Sequence, residues 1–481
     1  MNTLRPQLPR ENSRLTNQEH SQLQDAPIEA EARSLVSFEF ARALRDACCL
    51  PWHAAGQFLG NQQLLRDIRS DLASTPSFAP DQRELHLPSR PLRIFISCAE
   101  ASGETHAINW VRALRAVLAE CGAPAPELVG LGGPQLAAQG VQLLGDPVSD
   151  ARMGFSGVLQ ALPFYLKLLR RSAQSFTSGG LDLFLGVDSP ALNVPLAQMA
   201  KRSGVLTAQY ITPQYWGWAP WRVAGFKRAF DLALSILPFE PAWFRRHGVA
   251  VEHVGHPQMD VFQTRAGLAR EERAEILAIL PGSRRSVIAR NLPLMLESLR
   301  AHIGGAAAWR ALILQGSRKH RALIDECIER SALDRAAVEV SYDLEAGLAQ
   351  TKAALSVSGT ILTHLLHHRI PTVVVYRLES AFQQWMGRHF LTVPYFSSVN
   401  LLAGRMVYPE FSFAAEEGPP AFFEAVERLV NDRNWREACS AELEIAAQRL
   451  GPAGASRRAA LAVLNLIPGV SPPQKSAAGA R

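Results

Sequence analysis

The sequence has little cysteine. Its 481 residues hold six, Cys48, Cys49, Cys98, Cys121, Cys327 and Cys439, with no C-x-x-C pair among them. So few scattered thiols argue against a disulfide-stapled scaffold and for a reducing compartment, the cytoplasm. No apolar run approaches the roughly 18 residues of a spanning helix. The stretch "MNTLRPQLPRENSRLTNQEH" lacks an apolar core and does not read as a secretory signal. Neither a Walker pattern nor G-x-G-x-x-G occurs, which argues against a P-loop ATPase and a dinucleotide fold. Charge is also modest. Asp, Glu, Lys and Arg make up 20%, and 50 basic residues against 44 acidic ones leave a net +6. That excess suits anionic substrates, an anionic membrane surface or nucleic acid without selecting among them. The basic residues are dispersed and no recognition motif appears, so nucleic acid is disfavoured.

What is present is a hydrophobic content of 47%, enough for a substantial core. At roughly 150 residues per domain the length suggests about three units, or two large ones with extensions. Residues 1–34 are polar and rich in Pro, Arg and Gln, and read as disordered. Short helical patterns over 35–75 and the Pro/Ser stretch "STPSFAPDQRELHLPSRP" complete an extension over 1–90. From residue 92 short apolar runs alternate with amphipathic helices. Six runs, from "LRIFISCAE" (92–100) to "VEHVGHP" (251–257), make a first series. Five more, from "LAILPGS" (277–283) to "PTVVVYRL" (371–378), make a second. Continuous apolar strands between helices predict parallel sheets covered on both faces. The expected fold is therefore α/β, with two Rossmann-like doubly wound domains over 91–265 and 266–400. A helical region follows over 401–466, then a disordered tail over 467–481.

Most runs end in Gly, Ser, Asp or Pro, which places small polar turns at the carboxyl edge, where such sheets bind ligands. "LPGSRRS" offers the Gly282 and Ser283 amides beside Arg284, and "SVSGT" offers Ser358, Gly359 and Thr360. "LILQGSRKH" adds Gly316 in a third turn. Backbone N–H groups at a helix start, with an arginine fork, suit a diphosphate. Gly and Ser are also common in strand-to-helix loops, so each turn alone reads either way. In the first half, "CAEASGETH" sets Glu100, Ser102, Gly103 and Glu104 after the first strand, where capping is an equal explanation. Asp188, in "LGVDSPALN", ends a strongly apolar strand. A carboxylate there suits a general base at a pocket rim, or an N-cap. "TPQYWGWAPWR" packs three tryptophans, a tyrosine and Arg222 into one loop, which suits an acceptor pocket or a lipid interface.

The ordered series "CAEASGETHA", "RMGFSGVL", "GVDSPALN", "YITPQYWGWAPWRV", "DLALSILPFE", "HVGHP", "LPGSR", "SVSGT", "VVVYRL" and "NLLAGR" resembles bacterial lipid-A-disaccharide synthase over about residues 92–465. The resemblance implies a GT-B-like architecture, two Rossmann-like domains facing a cleft. It implies transfer of diacylglucosamine from UDP to diacylglucosamine 1-phosphate, forming a β-1,6 disaccharide and UDP with no cofactor or metal. It also implies an inverting hexosyltransferase attached peripherally to the cytoplasmic face of the inner membrane, and a homodimer. Carried over position by position, Asp188 matches the catalytic base. Ser283, Arg284, Ser358, Gly359, Thr360, Asn400 and Arg405 match the nucleotide side, where the turn residues Gly282 and Gly316 and the helix residue His364 are also expected. Glu100, Ser102, Gly103, Met153, Gly154, Asn193, Trp216, Trp218 and Arg222 match the acceptor side of the cleft.

Five positions in four motifs depart from the family pattern. Ala99 and Glu104 stand in a loop that usually reads G-E-x-S-G-D. Ala191 replaces the second acid of D-x-P-D, and Val287 replaces a Glu after S-R-x-x. His364 stands where a helix Glu usually accepts from the ribose hydroxyls. A neutral histidine accepts through one nitrogen only. These losses leave open a relative with an altered donor, or one that binds a nucleotide sugar or glycolipid without turnover. A UDP-sugar epimerase on the same architecture is a third reading, which would not need the Trp-rich acceptor segment. His364, His367 and His368 share helical spacing, but no carboxylate or cysteine lies beside them in the sequence, so a metal site is disfavoured. His367 and His368 read as the outer face and end of that helix. Two segments suit a lipid interface. In "FSGVLQALPFYLKLLRRSAQSF" (155–176) an apolar cluster carries Lys167, Arg170 and Arg171, equally readable as a core helix with a basic end. "AFQQWMGRHFLTVPYF" (381–396) is the second.

Overall fold

A computed structural model describes residues 17–74, 77–149, 158–262, 273–300, 302–303 and 309–468. The apolar runs form two separate parallel sheets. The first contains β1 (Arg93–Ser97), β2 (Glu127–Leu131), β3 (Gln142–Gly145), β4 (Leu183–Val187), β5 (Leu206–Tyr210), β6 (Leu232–Ser235) and β7 (Val251–His253). Their spatial order is β3-β2-β1-β4-β5-β6-β7. The second contains β8 (Ile276–Leu280), β9 (Arg310–Leu314), β10 (Val338–Ser341), β11 (Ala353–Ser356), β12 (Thr372–Arg377) and β13 (Glu410–Phe413), in the order β10-β9-β8-β11-β12-β13. Both sheets are doubly wound. Every residue of β4 and β8 is buried, as strands covered by helices on both faces must be.

Each sheet has one strand more than the apolar runs predict, β3 and β13. Both are four-residue edge strands with at most one buried residue, so neither carries a continuous apolar signal. β13 carries the second sheet past residue 400. The last helix, Ala455–Leu466, returns to the first sheet. Ala459, Leu461 and Val463 share a core with Trp110 and Leu114 of helix Ala101–Glu120, and Arg457 pairs with Glu120.

The polar extension is helical earlier than its composition predicts. Helix Asn17–Cys48 runs through much of the stretch that reads as disordered, and helix Leu50–Leu72 follows. Tertiary packing overrides composition here. Ala32, Leu35 and Val36 are buried in one core with Leu168, Ala173 and Phe176 of helix Val158–Thr177. Helix Val158–Thr177 thus buries one face, with Leu168, Ser172, Ala173 and Phe176, and leaves Leu162, Lys167, Arg170 and Arg171 exposed. No helix among the described residues is long and apolar enough to cross a membrane.

In both sheets the chain order reverses beside the first strand. The crevices open between the loops after β1 and β4, and between those after β8 and β11. The turns at 98–103, 188–190, 281–285 and 357–360 occupy these positions, and the two crevices face each other.

Candidate functional site

The first crevice is built tightly. A Cβ at Gly103 would lie 3.5 Å from the Val187 carbonyl and 3.7 Å from the Asp188 Cβ, so the helix start abuts the Asp188 turn. Asp188 and Ser189 both hold positive φ, 51° and 43°, which non-glycine residues rarely adopt. The surroundings impose that backbone. The Asp188 carbonyl accepts from Asn193 Nδ2 at 2.7 Å and from Gln209 Nε2 at 2.8 Å, and the Asp188 N–H donates to the Tyr210 carbonyl. Asn193 is fully buried and also reaches the Ser97 and Val187 carbonyls. It therefore stands beneath the cleft and holds the turn rather than lining the cleft, as the resemblance had implied.

The loop 212–222 forms the adjoining wall. Trp216 is buried and donates its indole N–H to Glu240 Oε1 at 3.1 Å. Glu240 also accepts from the Ile236 and Leu237 amides through Oε2. Burial pushes its carboxyl up to about 7 despite the hydrogen bonds from Leu237, Trp216, Thr212 and Ile236. Trp218 is half-exposed, with Arg222 4.9 Å over its ring. Thr392 of the second half donates its N–H to the Gly217 carbonyl and its hydroxyl to the Trp216 carbonyl. The aromatic loop thereby touches the opposite domain.

On that opposite side the Ser358 hydroxyl donates to the Phe396 carbonyl at 3.0 Å, and Gly359 takes φ 152°. Gly282 takes φ 103°, and a Cβ there would fall 2.8 Å from Cγ1 of Val287. Val287 thus closes over the turn. Gly282→Ala meets both a strained backbone and this clash. It is expected to cost about 2 kcal/mol in a urea melt.

Ser102, Asp188, Trp216, Trp218, Arg222, Ser358, Gly359 and Thr360 line one cleft of about 480 Å³ between the two sheets. Gly103 packs just behind it. Glu100, Ser283 and Arg284 are exposed nearby, and Gly316 lies in the loop whose Gln315 donates to the Gly282 carbonyl. Met153 and Gly154 fall outside the described residues. Two expected nucleotide contacts are corrected. Asn400 is fully buried; its Nδ2 serves Tyr408 and Glu410, and its Oδ1 accepts from Val407 and Tyr408, leaving no group for a ligand. It braces the 396–402 segment instead. Arg405 is exposed and paired with Glu442, away from the cleft lining.

The histidines are arranged differently from the sequence expectation. Glu345, on helix Leu344–Gln350, accepts from both His364 Nδ1 (2.8 Å) and His368 Nε2 (3.2 Å). Burial alone would raise the Glu345 carboxyl, but the two imidazole hydrogen bonds hold it below the usual carboxylate range. His364 Nε2 lies 3.4 Å from Gln258 Nε2, and His367 stacks on Phe262. His368 stands at the end of helix Ile361–His367 and is buried there, with its ring bonded to Glu345. Among the described residues no three of His, Cys, Asp and Glu form a metal-holding group.

Sequence reasoning gave no role to three cleft residues, His106, Glu240 and His256. Burial holds the His106 imidazole below its ordinary range, against Asp188 and Asp260. It drives His256 to about 3, with His106 and His253 adding to the effect. His256 Nδ1 accepts from the Gln258 amide at 3.3 Å, which leaves the neutral ring's proton on Nε2. The quoted runs "SGETHA" and "HVGHP" contain both histidines, but no local pattern shows that they converge.

A family model described as lipid-A-disaccharide synthetase matches residues 94–463. A lipid-A-disaccharide synthase of Myxococcus xanthus is 36% identical over 79% of this chain and 99% of its own length. One of Azotobacter vinelandii is 32% identical over 78% and 98%. Among solved structures, a complex of MnaA from S. aureus with UDP superposes with TM-score 0.50 at 12% identity, covering 79% of this chain and 98% of that one. At that identity the likeness concerns the fold alone.

Proposed function

We propose, from the premise that this chain belongs to the lipid-A-disaccharide synthase family, that glycosyl transfer takes place in the cleft between its two sheets. The protein is a glycosyltransferase of lipid A synthesis, and its substrates are a UDP-sugar and a lipid A precursor. On this reading the donor is UDP-diacylglucosamine and the acceptor diacylglucosamine 1-phosphate. The acceptor hydroxyl loses its proton to Asp188 as its oxygen attacks the anomeric carbon. The bond from that carbon to the diphosphate breaks on the opposite side, so configuration inverts to the β-linkage and UDP departs. The amides of the 282–284 and 358–360 turns, with Arg284, take up the charge growing on the diphosphate. Attachment to the cytoplasmic face of the inner membrane follows from the acyl chains of both substrates.

The observation that carries this reading is the single cleft joining Asp188 to the Ser358–Thr360 turn across two doubly wound sheets. Incubating purified protein with both substrates is expected to yield disaccharide and UDP in equal amounts, with a β anomeric signal by NMR. Folded protein that forms neither product above blank supports the non-catalytic reading instead.

A further inference from the structure

The two most exposed large apolar side chains among the described residues, Leu59 at 84% and Trp52 at 81%, sit on helix Leu50–Leu72. This helix lies outside the family match, which begins at residue 94. Seven residues apart, the two share one helical face. Phe40 and Leu44, one turn apart on helix Asn17–Cys48, are also about half-exposed, as is Leu50 at the junction. Contiguous exposed apolar surface marks an interaction site.

The patch does not stop at the extension. Phe58 stacks on His389 at 5.5 Å, His389 meets Trp385 at 4.8 Å, and Trp385 meets Phe382 at 6.0 Å. Phe382 and Trp385 are themselves exposed, on helix Ala381–Phe390 of the second domain. On the other flank His53 stacks on Trp221, and Gln57 Nε2 donates to the carbonyls of Trp218 and Phe390. One aromatic face thus runs from the extension over both domains to the cleft mouth, where Trp218 stands.

Exposed arginines lie on the elements that build this face, Arg66, Arg69, Arg222 and Arg388, beside Arg45, which is paired with Asp46. Its carboxylates are already engaged, Asp46 by Arg42 and Arg45, and Asp67 by Arg246. The free charge is therefore positive. We propose that this face docks the protein on a bilayer carrying anionic lipids, with the rings at headgroup depth and the arginines on lipid phosphates. A second copy is the poorer occupant, because a two-fold contact sets the same arginines against one another. The proposed function supplies only the reason for docking, that acylated substrates enter beside Trp218; the docking itself is read without turnover.

The test is flotation of the full chain with phosphatidylcholine vesicles, with and without roughly a third phosphatidylglycerol. Binding is expected to the anionic vesicles and to weaken with salt. The double variant Trp52→Ser/Leu59→Ser is expected to partition about tenfold more weakly. Its melting temperature and its turnover of detergent-dispersed substrates should stay those of the wild type. Unchanged flotation of the variant overturns the proposal. So does a wild type that ignores anionic vesicles but forms concentration-dependent dimers that the variant lacks. An Asp188→Asn protein that floats normally but does not turn over separates a docking failure from a failure of the catalytic reading.

Discussion

Asp188→Asn is expected to lower kcat about a thousandfold, the middle of the range for losing a positioned general base. The substitution keeps size and shape, and the hydrogen bonds that fix the turn run to the backbone. Asn193 and Gln209 hold the residue 188 carbonyl, and the 188 amide still donates to Tyr210. The left-handed backbone should therefore survive, since asparagine tolerates it at least as well as aspartate. The donor KM should change little, because the donor turns lie on the other sheet. Initial rates of UDP release against both substrates measure this. A rate within about threefold of wild type, too small for a lost base, removes Asp188 from that role.

Removing Glu240 is expected to have the largest effect on stability. Glu240→Ala strips the acceptor from the Trp216 indole and the Ile236 and Leu237 amides at once. Leaving such buried donors unpaired is expected to cost about 3 kcal/mol and to loosen the aromatic wall of the cleft. The pH dependence has a definite sign. The folded carboxyl sits at about 7 against an ordinary 4.5, because burial penalises its charged form. The folded protein thus binds this proton more tightly than the unfolded chain does. The contribution is complete below pH 4.5 and is lost as pH rises through about 7. Stability should fall across that window by up to about 1.4 kcal/mol per pH unit from this group. Glu240→Gln has no proton to lose, so its melting temperature should follow pH with a shallower slope than wild type. Parallel curves for the two proteins would contradict this account.

Much of the fold was legible because a central parallel strand must be apolar on both faces, and that leaves a continuous run in the sequence. β4 and β8 are such strands, while β3 and β13, at the edges and only partly buried, carry no such run. The positions of Asp188 and of the Ser358–Thr360 turn were equally legible. A strand that ends in a small or acidic residue announces its turn locally, and the doubly wound order carries that turn to the crevice.

Pairings between distant residues were not legible. Asn400 and Arg405 stand in the motif expected of nucleotide contacts, yet burial commits the first to the 407–408 backbone and the Glu410 carboxylate, and Glu442 pairs with the second. Glu240, 24 residues beyond Trp216, becomes its acceptor only because two loops fold over one crevice. The extension reads as polar, yet it is helical from Asn17 because Ala32, Leu35 and Val36 find a core on a helix far along the chain. The histidines show the division most plainly. Their spacing in the sequence placed His364 and His368 one turn apart on a helix, with no carboxylate nearby. The tertiary structure brought in Glu345 from the preceding helix to accept from both. Local sequence determines which side chains share a face, because helical and strand periods repeat over a few residues. Which group lies opposite that face depends on how separate elements pack, and only the folded chain decides it.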